Sequence, residues 1–463
     1  MKKIAVLWLL VSTTSITFSQ VPKTEFWILE EPIFKTTKDS ADYARAQVQF
    51  KSLITDRTKF DAIDSLMKVI QGIRQRGIIG TRKVYSPSPG FTQYQGSIKN
   101  YDEIKNLSIS EKGLRRIPKD VLLCKNLEAL ELVNTSIRKI SKKLNGLSLL
   151  SSIYILNNKP SGKLKLGKNE SVKTLGIRGV NPETIPTSFR KFRNLEKLDL
   201  AATGLTSFPK GASKNKKLKE LLLSSNQIAL EADRISVHPT LEKLELQKNK
   251  IKTLPASIRN FPNLKRLILN HNEIEHVDPA IASLTKLEHL SFYKNKLKAI
   301  PEGIYALQNL KEIDLYYNQI ERFDDQISNL KNLEILYLSH NLILTVPESL
   351  CSLTQLEELY LSNNRLTELP QGMGSMDRLK VLRINNNRLL QAPRDLPKLI
   401  KLENLDISSN QLTELPDGLL TLQSLKLLVL VNNPWDETSL NKLDMFTQHF
   451  RNKGVVIQIE DNP

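Results

Sequence analysis

The chain has 463 residues, and its 67 Lys and Arg against 49 Asp and Glu give a formal net charge of +18. Two cysteines in that length exclude a disulfide-stapled framework. No apolar run reaches the ~20 residues that a helical bilayer crossing needs. No phosphate loop, nucleophile elbow or paired-cysteine metal motif occurs, so no catalytic residue, metal or cofactor is expected.

The chain opens with a short basic head, Met1-Lys2-Lys3, then an apolar run over residues 4–11 and a polar Ser/Thr stretch. Thr17 and Ser19 place small residues where a signal peptidase reads. Residues 1–19 are therefore expected to be a signal peptide, and the mature protein to be exported: periplasmic, at the cell surface or secreted. Neither cysteine lies near that cleavage point, which argues against a lipid anchor.

Residues 20–103 show no internal period. A helix start is expected at Asp39-Ser40-Ala41-Asp42, with a loose apolar face through Val48, Leu53 and Ile54. A second helix is expected through Phe60, Ile63, Leu66, Met67 and Ile70, spaced by three to four. Residues 86–90, Ser-Pro-Ser-Pro-Gly, read as a turn or linker. This region is expected to be a helical cap on the first edge of a repeat array.

Residues 104–435 form that array. Units start at Ile104, Leu127 and Leu150, then at Val172 after 22 residues, then at Leu195 and every 23 residues to Leu425, fifteen units in all. One clean copy is Leu356-Glu-Glu-Leu359-Tyr-Leu361-Ser-Asn-Asn364-Arg-Leu366, followed by Leu369-Pro370. Leu359 and Leu361 alternate, so on a strand both face one side. No unit buries its leucines alone; stacked units share one core, each Leu contributing about 1.5–3 kcal/mol by burial. Asn stands at the ninth place from Asn226 to Asn433 without a break. An amide both donates and accepts, so these side chains are expected to satisfy the turning backbone at each strand end.

This L-x-x-L-x-L-x-x-N-x-L pattern resembles the leucine-rich repeat. Nine units carry Pro at the fifteenth place, among them Pro255, Pro301 and Pro370. With Ile258 or Ile304 three residues on, this tail resembles the 23-residue "typical" repeats of Ras-group and Scribble-like scaffolds and of many bacterial proteins. The resemblance implies an α/β solenoid, a horseshoe of about 15 units whose parallel inner sheet binds a partner, usually a protein. It specifies a fold far more than a function.

Cys124 and Cys351 lie about ten units apart, or ~45–50 Å at one strand spacing per unit. A disulfide needs alpha carbons within ~7 Å, so both are expected to be free thiols. Residues 436–463 read as a helix-strand C-terminal cap. Asn433-Pro434-Trp435 stops the array, and Asp436 caps a helix carrying Leu440, Leu443, Phe446 and Phe450 on one face. Residues 455–459 read as a last strand, with no appended module expected after it.

Charge is uneven. Residues 101–220 hold 25 Lys and Arg against 11 Asp and Glu, whereas residues 221–463 hold 27 against 30. Lys210, Lys214, Lys216, Lys217 and Lys219 are the densest basic group. They offer contact with an anionic glycan or lipid such as lipopolysaccharide; nucleic acid is not expected, since no aromatic ladder accompanies them.

The inner face offers more. Its outward columns are the third, fifth, seventh and eighth places of each unit. Tyr293 and Tyr316 share the seventh; Tyr317 and His340 the eighth; Tyr337, Tyr360 and Arg383 the fifth; and His289 the third. Same-column residues of adjacent units stand ~5 Å apart. Tyr with Arg is the composition of interface hot spots, so these eight residues are the expected site for a protein partner.

Overall fold

A computed structural model describes residues 28–34, Arg45, 78–85, 88–230, 235–414 and 418–459. The expected signal peptide lies outside the described residues, and so do the two expected N-terminal helices except for Arg45, which is helical. Elsewhere in that region the described residues include a pair of antiparallel strands, Ile28–Phe34 and Ile78–Tyr85. Their Ile, Val, Phe and Tyr suit a strand, a signal missed beside the helical spacing between them.

Each of the fifteen units contributes one short strand to a single parallel sheet. Thr92–Gln93 adds a strand before the first unit and Val456–Gln458 one after the last, seventeen among the described residues. Registers step by the repeat, as in Leu198↔Leu221↔Leu244. The short unit is absorbed without loss of register, Ser152 pairing with Thr174. Leu359 and Leu361 are fully buried, while Glu358 and Tyr360, which alternate with them, are only partly so. Fourth- and sixth-place residues thus build one core running the length of the array.

The asparagines close each turn as expected. Asn272 donates to its own Leu269 carbonyl at 2.8 Å and to Leu246 of the previous unit at 3.0 Å, while its Oδ1 accepts from Ile251 N at 3.2 Å. One side chain thereby satisfies three backbone groups in two units. At the same place Thr203 does part of this, its hydroxyl donating to the Leu200 carbonyl at 2.8 Å.

The outer side is built of short 3-10 turns of three to five residues, such as Glu302–Ala306 and Glu348–Ser352. Pro301 and Pro347 stand just before them, where a fixed φ sets the entry. With no more than some twenty residues to go out and return, a unit has no room for a longer helix. Ile258 and Ile304 of these turns are buried, as is Phe261. His238 takes a core place beside them, its ring 5.4 Å from Phe261, and burial lowers its pKa to about 4.

Cys124 and Cys351 are buried and free. The C-terminal helix Glu437–Asn452 is capped by Asp436, whose Oδ1 accepts from Ser439 N at 2.7 Å. Leu443, Phe446 and Phe450 join the core. Leu440 does not: it is 45% exposed.

Candidate functional site

The inner columns are laid out by the backbone. Third- and fifth-place residues lie within the three-residue strands; the seventh comes after them, and the eighth turns the chain away. In every unit from Leu127 onward the eighth residue has positive φ, from Asn134 at 54° to Asn432 at 57°. Left-handed backbone suits Gly, Asn and, less well, Ser or His. Gly179, Asn134, Asn157, Asn363, Asn386 and Asn432 meet that demand. Tyr317, at φ 55°, does not: it is a bulky ring in a conformation that disfavours one, and it is 42% exposed.

Around Tyr317 the rings interlock. It lies flat on His340 at 4.2 Å and edge-on to Tyr316 at 4.6 Å. Tyr316 stacks on Tyr293 at 5.6 Å, and Tyr293 meets His271 edge-on at 5.1 Å. Burial holds the His271 and His340 pKa values below the ordinary one, which favours the neutral rings. Burial likewise raises the phenols of Tyr293 and Tyr316.

A second group occupies the fifth column. Strand register sets Asp314, Tyr337, Tyr360 and Arg383 side by side. Tyr337 stacks on Tyr360 at 4.7 Å, and the Arg383 guanidinium lies 5.8 Å from the Tyr360 ring centre. The Tyr360 hydroxyl donates to Glu358 at 2.7 Å. In the third column His289 meets Glu312 at 2.9 Å, a contact that lowers the Glu312 pKa. Asp314 stands between the two aromatic groups and accepts from Ser291 Oγ at 2.7 Å and Tyr316 N at 3.1 Å. Desolvation nevertheless pushes its carboxyl up to about 6.

All eight expected binding residues thus fall on one stretch of the inner face, seven of them in two stacked groups that meet at Asp314 and His289 beside Glu312. Asp314 and Glu358 were missed as site residues, although their fifth and third places signal them. The left-handed eighth column was missed too. Its recurring Asn, Ser and Gly carried that signal.

The five basic residues are not all together. Lys216, Lys217 and Lys219 line one open depression with Lys265 and Lys286; Lys210 and Lys214 lie outside it. Glu196 and Glu242 share the depression. Lys217 Nζ donates to Asn194 at 2.7 Å, and Lys219 Nζ lies 3.8 Å from Glu196. The Lys219 contact belongs to a ladder at the second place, where Lys and Glu alternate from Lys173 to Glu334 and again from Glu357 to Lys426. Lys265 meets Glu242 at 3.0 Å, Lys380 meets Glu357 at 2.7 Å and Lys426 meets Glu403 at 2.6 Å.

The sequence signature described as Leucine rich repeat matches residues 239–297, 262–320, 287–343 and 308–366. Two further leucine-rich repeat signatures match 354–399 and 401–422. No curated protein matches the sequence. Among solved structures, a leucine-rich repeat protein of Leptospira interrogans is 26% identical, covers 78% of this chain and 96% of its own, and superposes with a TM-score of 0.53. The Toll–Spätzle complex of Drosophila gives 24% identity, 72% and 51% coverage and a TM-score of 0.59. The functional domain of InlJ from Listeria monocytogenes gives 21%, 75% and 68%, and 0.51. The fold is an α/β leucine-rich repeat horseshoe, a scaffold that commonly mediates protein–protein interaction. Among the described residues no helix is long and apolar enough to cross a membrane.

Proposed function

We propose that this is an exported, non-enzymatic binding protein that holds a protein partner on the inner face of units eight to thirteen. One observation carries the reading. Tyr317 is 42% exposed and strained at a left-handed place where eight of the other thirteen units from Leu127 onward put Asn, Ser or Gly, so its backbone opposes folding locally. Residues that break the local rule of their own fold cluster at functional sites. The neighbouring rings then supply a preformed, rigid surface of the kind that anchors interfaces. The 23-residue "typical" repeat, with its scaffold relatives, fits this role. The Toll neighbour was solved with the ligand Spätzle; at its identity it shows the fold, and the site rests on this chain's own residues. Residues 1–19 support export, and so a partner met outside the cytoplasm.

Replacing Tyr316 and Tyr337 together by Ala should abolish capture of a partner from envelope extract while circular dichroism still reports a folded array. Undiminished capture by that variant would refute the placement. A second reading, contact with an anionic glycan or lipid, rests on Lys210, Lys214 and Lys216, which pair with no carboxylate among the described residues. The ladder already engages Lys219, which weakens it.

A further inference from the structure

Three inner-face carboxylates in the first half of the array are matched by this chain's own cations, and a fourth, Glu131, is held by Ser88. Asp199 is held by Arg178, whose Nε donates to it at 2.9 Å. Glu220 meets Lys197 at 3.3 Å, and Glu245 meets Lys243 at 2.8 Å. At units ten to twelve the matching stops. Glu312 has His289 in contact, with Arg266 further along the same column, Asp314 has Ser291 and a backbone amide, and Glu358 has the Tyr360 hydroxyl. Among the described residues no Lys or Arg forms a salt bridge with any of these three carboxylates.

These three carboxylates surround one place. Register puts Ile335 between Glu312 and Glu358, and Tyr337 beside Asp314. The Tyr337 phenol is pushed above its ordinary range by burial and by the charges of Glu358, Glu312 and Asp314. One face of the Tyr337–Tyr360 stack is already covered by a cation, Arg383 over Tyr360. The other end, at Tyr337 and Asp314, has none. The surrounding chain agrees in sign: residues 301–350 carry eight Asp and Glu against three Lys and Arg.

We infer that this place takes a single Arg or Lys side chain from an extended segment of the protein partner. Its methylenes would lie on Ile335, its charge between Glu312, Asp314 and Glu358, against the ring of Tyr337. An aliphatic stem over an apolar floor with the head among carboxylates is how long basic side chains bury themselves, and a cation over a tyrosine face adds to it. Desolvated carboxylates without a counter-ion are costly in the free protein. A cation supplied from outside relieves that cost and makes binding selective for it. The inference rests on the aromatic surface proposed above and names what that surface recognises.

The test is a displayed library of random heptapeptides, selected on the full chain, on Tyr337→Ala, and on the Glu312→Gln, Glu358→Gln double variant. Gln keeps the shape and still accepts from His289 and Tyr360, so folding is preserved and checked by circular dichroism. Selected peptides should share an Arg or Lys at a fixed position. Their affinity should fall about tenfold on the double variant, weaken with rising salt, and fall equally when that cation becomes Gln. Peptides that need Tyr337 but share no cation, or bind the double variant unchanged, would overturn the cation site and leave the aromatic surface standing. Failure to select any Tyr337-dependent peptide would overturn both. Self-association of the full chain that the double variant removes would also overturn the inference, since a second copy would then be the occupant.

Discussion

The fifth column carries a tyrosine in two very different places. Tyr154, in the third unit, is 6% exposed, and together with Val133 and Leu156 it forms a small buried cluster on the inner face. Its ring lies over Gly176, where a β-carbon would come within 2.8 Å. Glu131 beside it is fully buried and is held by Ser88, through N at 3.1 Å and Oγ at 2.7 Å. Strands here run five residues, against three from Lys197 onward. Tyr337, in the eleventh unit, stacks on its neighbour and stays partly open. An inner-face tyrosine is therefore a structural residue where chain from outside the repeat lies against its column, and a candidate anchor where none of the described residues does.

That contrast can be broken by removing each ring. Tyr154→Ala should cost about 3–5 kcal/mol, as for other buried aromatics. Tyr337→Ala should cost about 1 kcal/mol, the worth of one stacked pair. Denaturant unfolding would measure both, and hydrogen exchange over residues 152–156 would show whether the loss stays local. Equal costs would erase the distinction.

A finer test uses charge. The folded pKa of Asp314, about 6, lies above its ordinary value of 3.8. The protonated form is thus favoured by folding, so this group's contribution is most favourable below about pH 4 and is lost as pH rises through 6. Asp314→Asn should therefore stabilise the protein by about 1–3 kcal/mol at pH 7, and the gain should vanish near pH 4. His238, with its folded pKa lowered to about 4, titrates with the opposite sign in both proteins. The difference between variant and wild type isolates Asp314.

Much of the fold was legible in the sequence because burial and turn closure recur with the repeat. Leucines at the fourth and sixth places mark the strands, and Asn at the ninth marks the turn. The aromatic patch was legible for the same reason, since register alone puts Tyr316 beside Tyr293 and Tyr360 beside Tyr337. Other features were written in single columns and missed. The left-handed eighth place is masked where Lys294, Tyr317 and His340 occupy it, although Asn363 and Gly179 give it away. The Lys–Glu ladder at the second place is plain once adjacent units are aligned. The covering of this column's first units was not readable at all, because residues such as Ser88 stand outside the repeat and obey no period.

The most direct measurement is Tyr317→Asn, with thermal unfolding and partner or peptide capture read on the same sample. Asn accepts left-handed backbone far better than Tyr, which offsets the ring contacts with Tyr316 and His340 that are lost. The account predicts a melting temperature unchanged or raised, by the equivalent of up to about 1 kcal/mol, together with loss of capture. A fall in melting temperature would show that Tyr317 serves the fold. Capture at full strength would show that the inner aromatic wall is not where a partner is held.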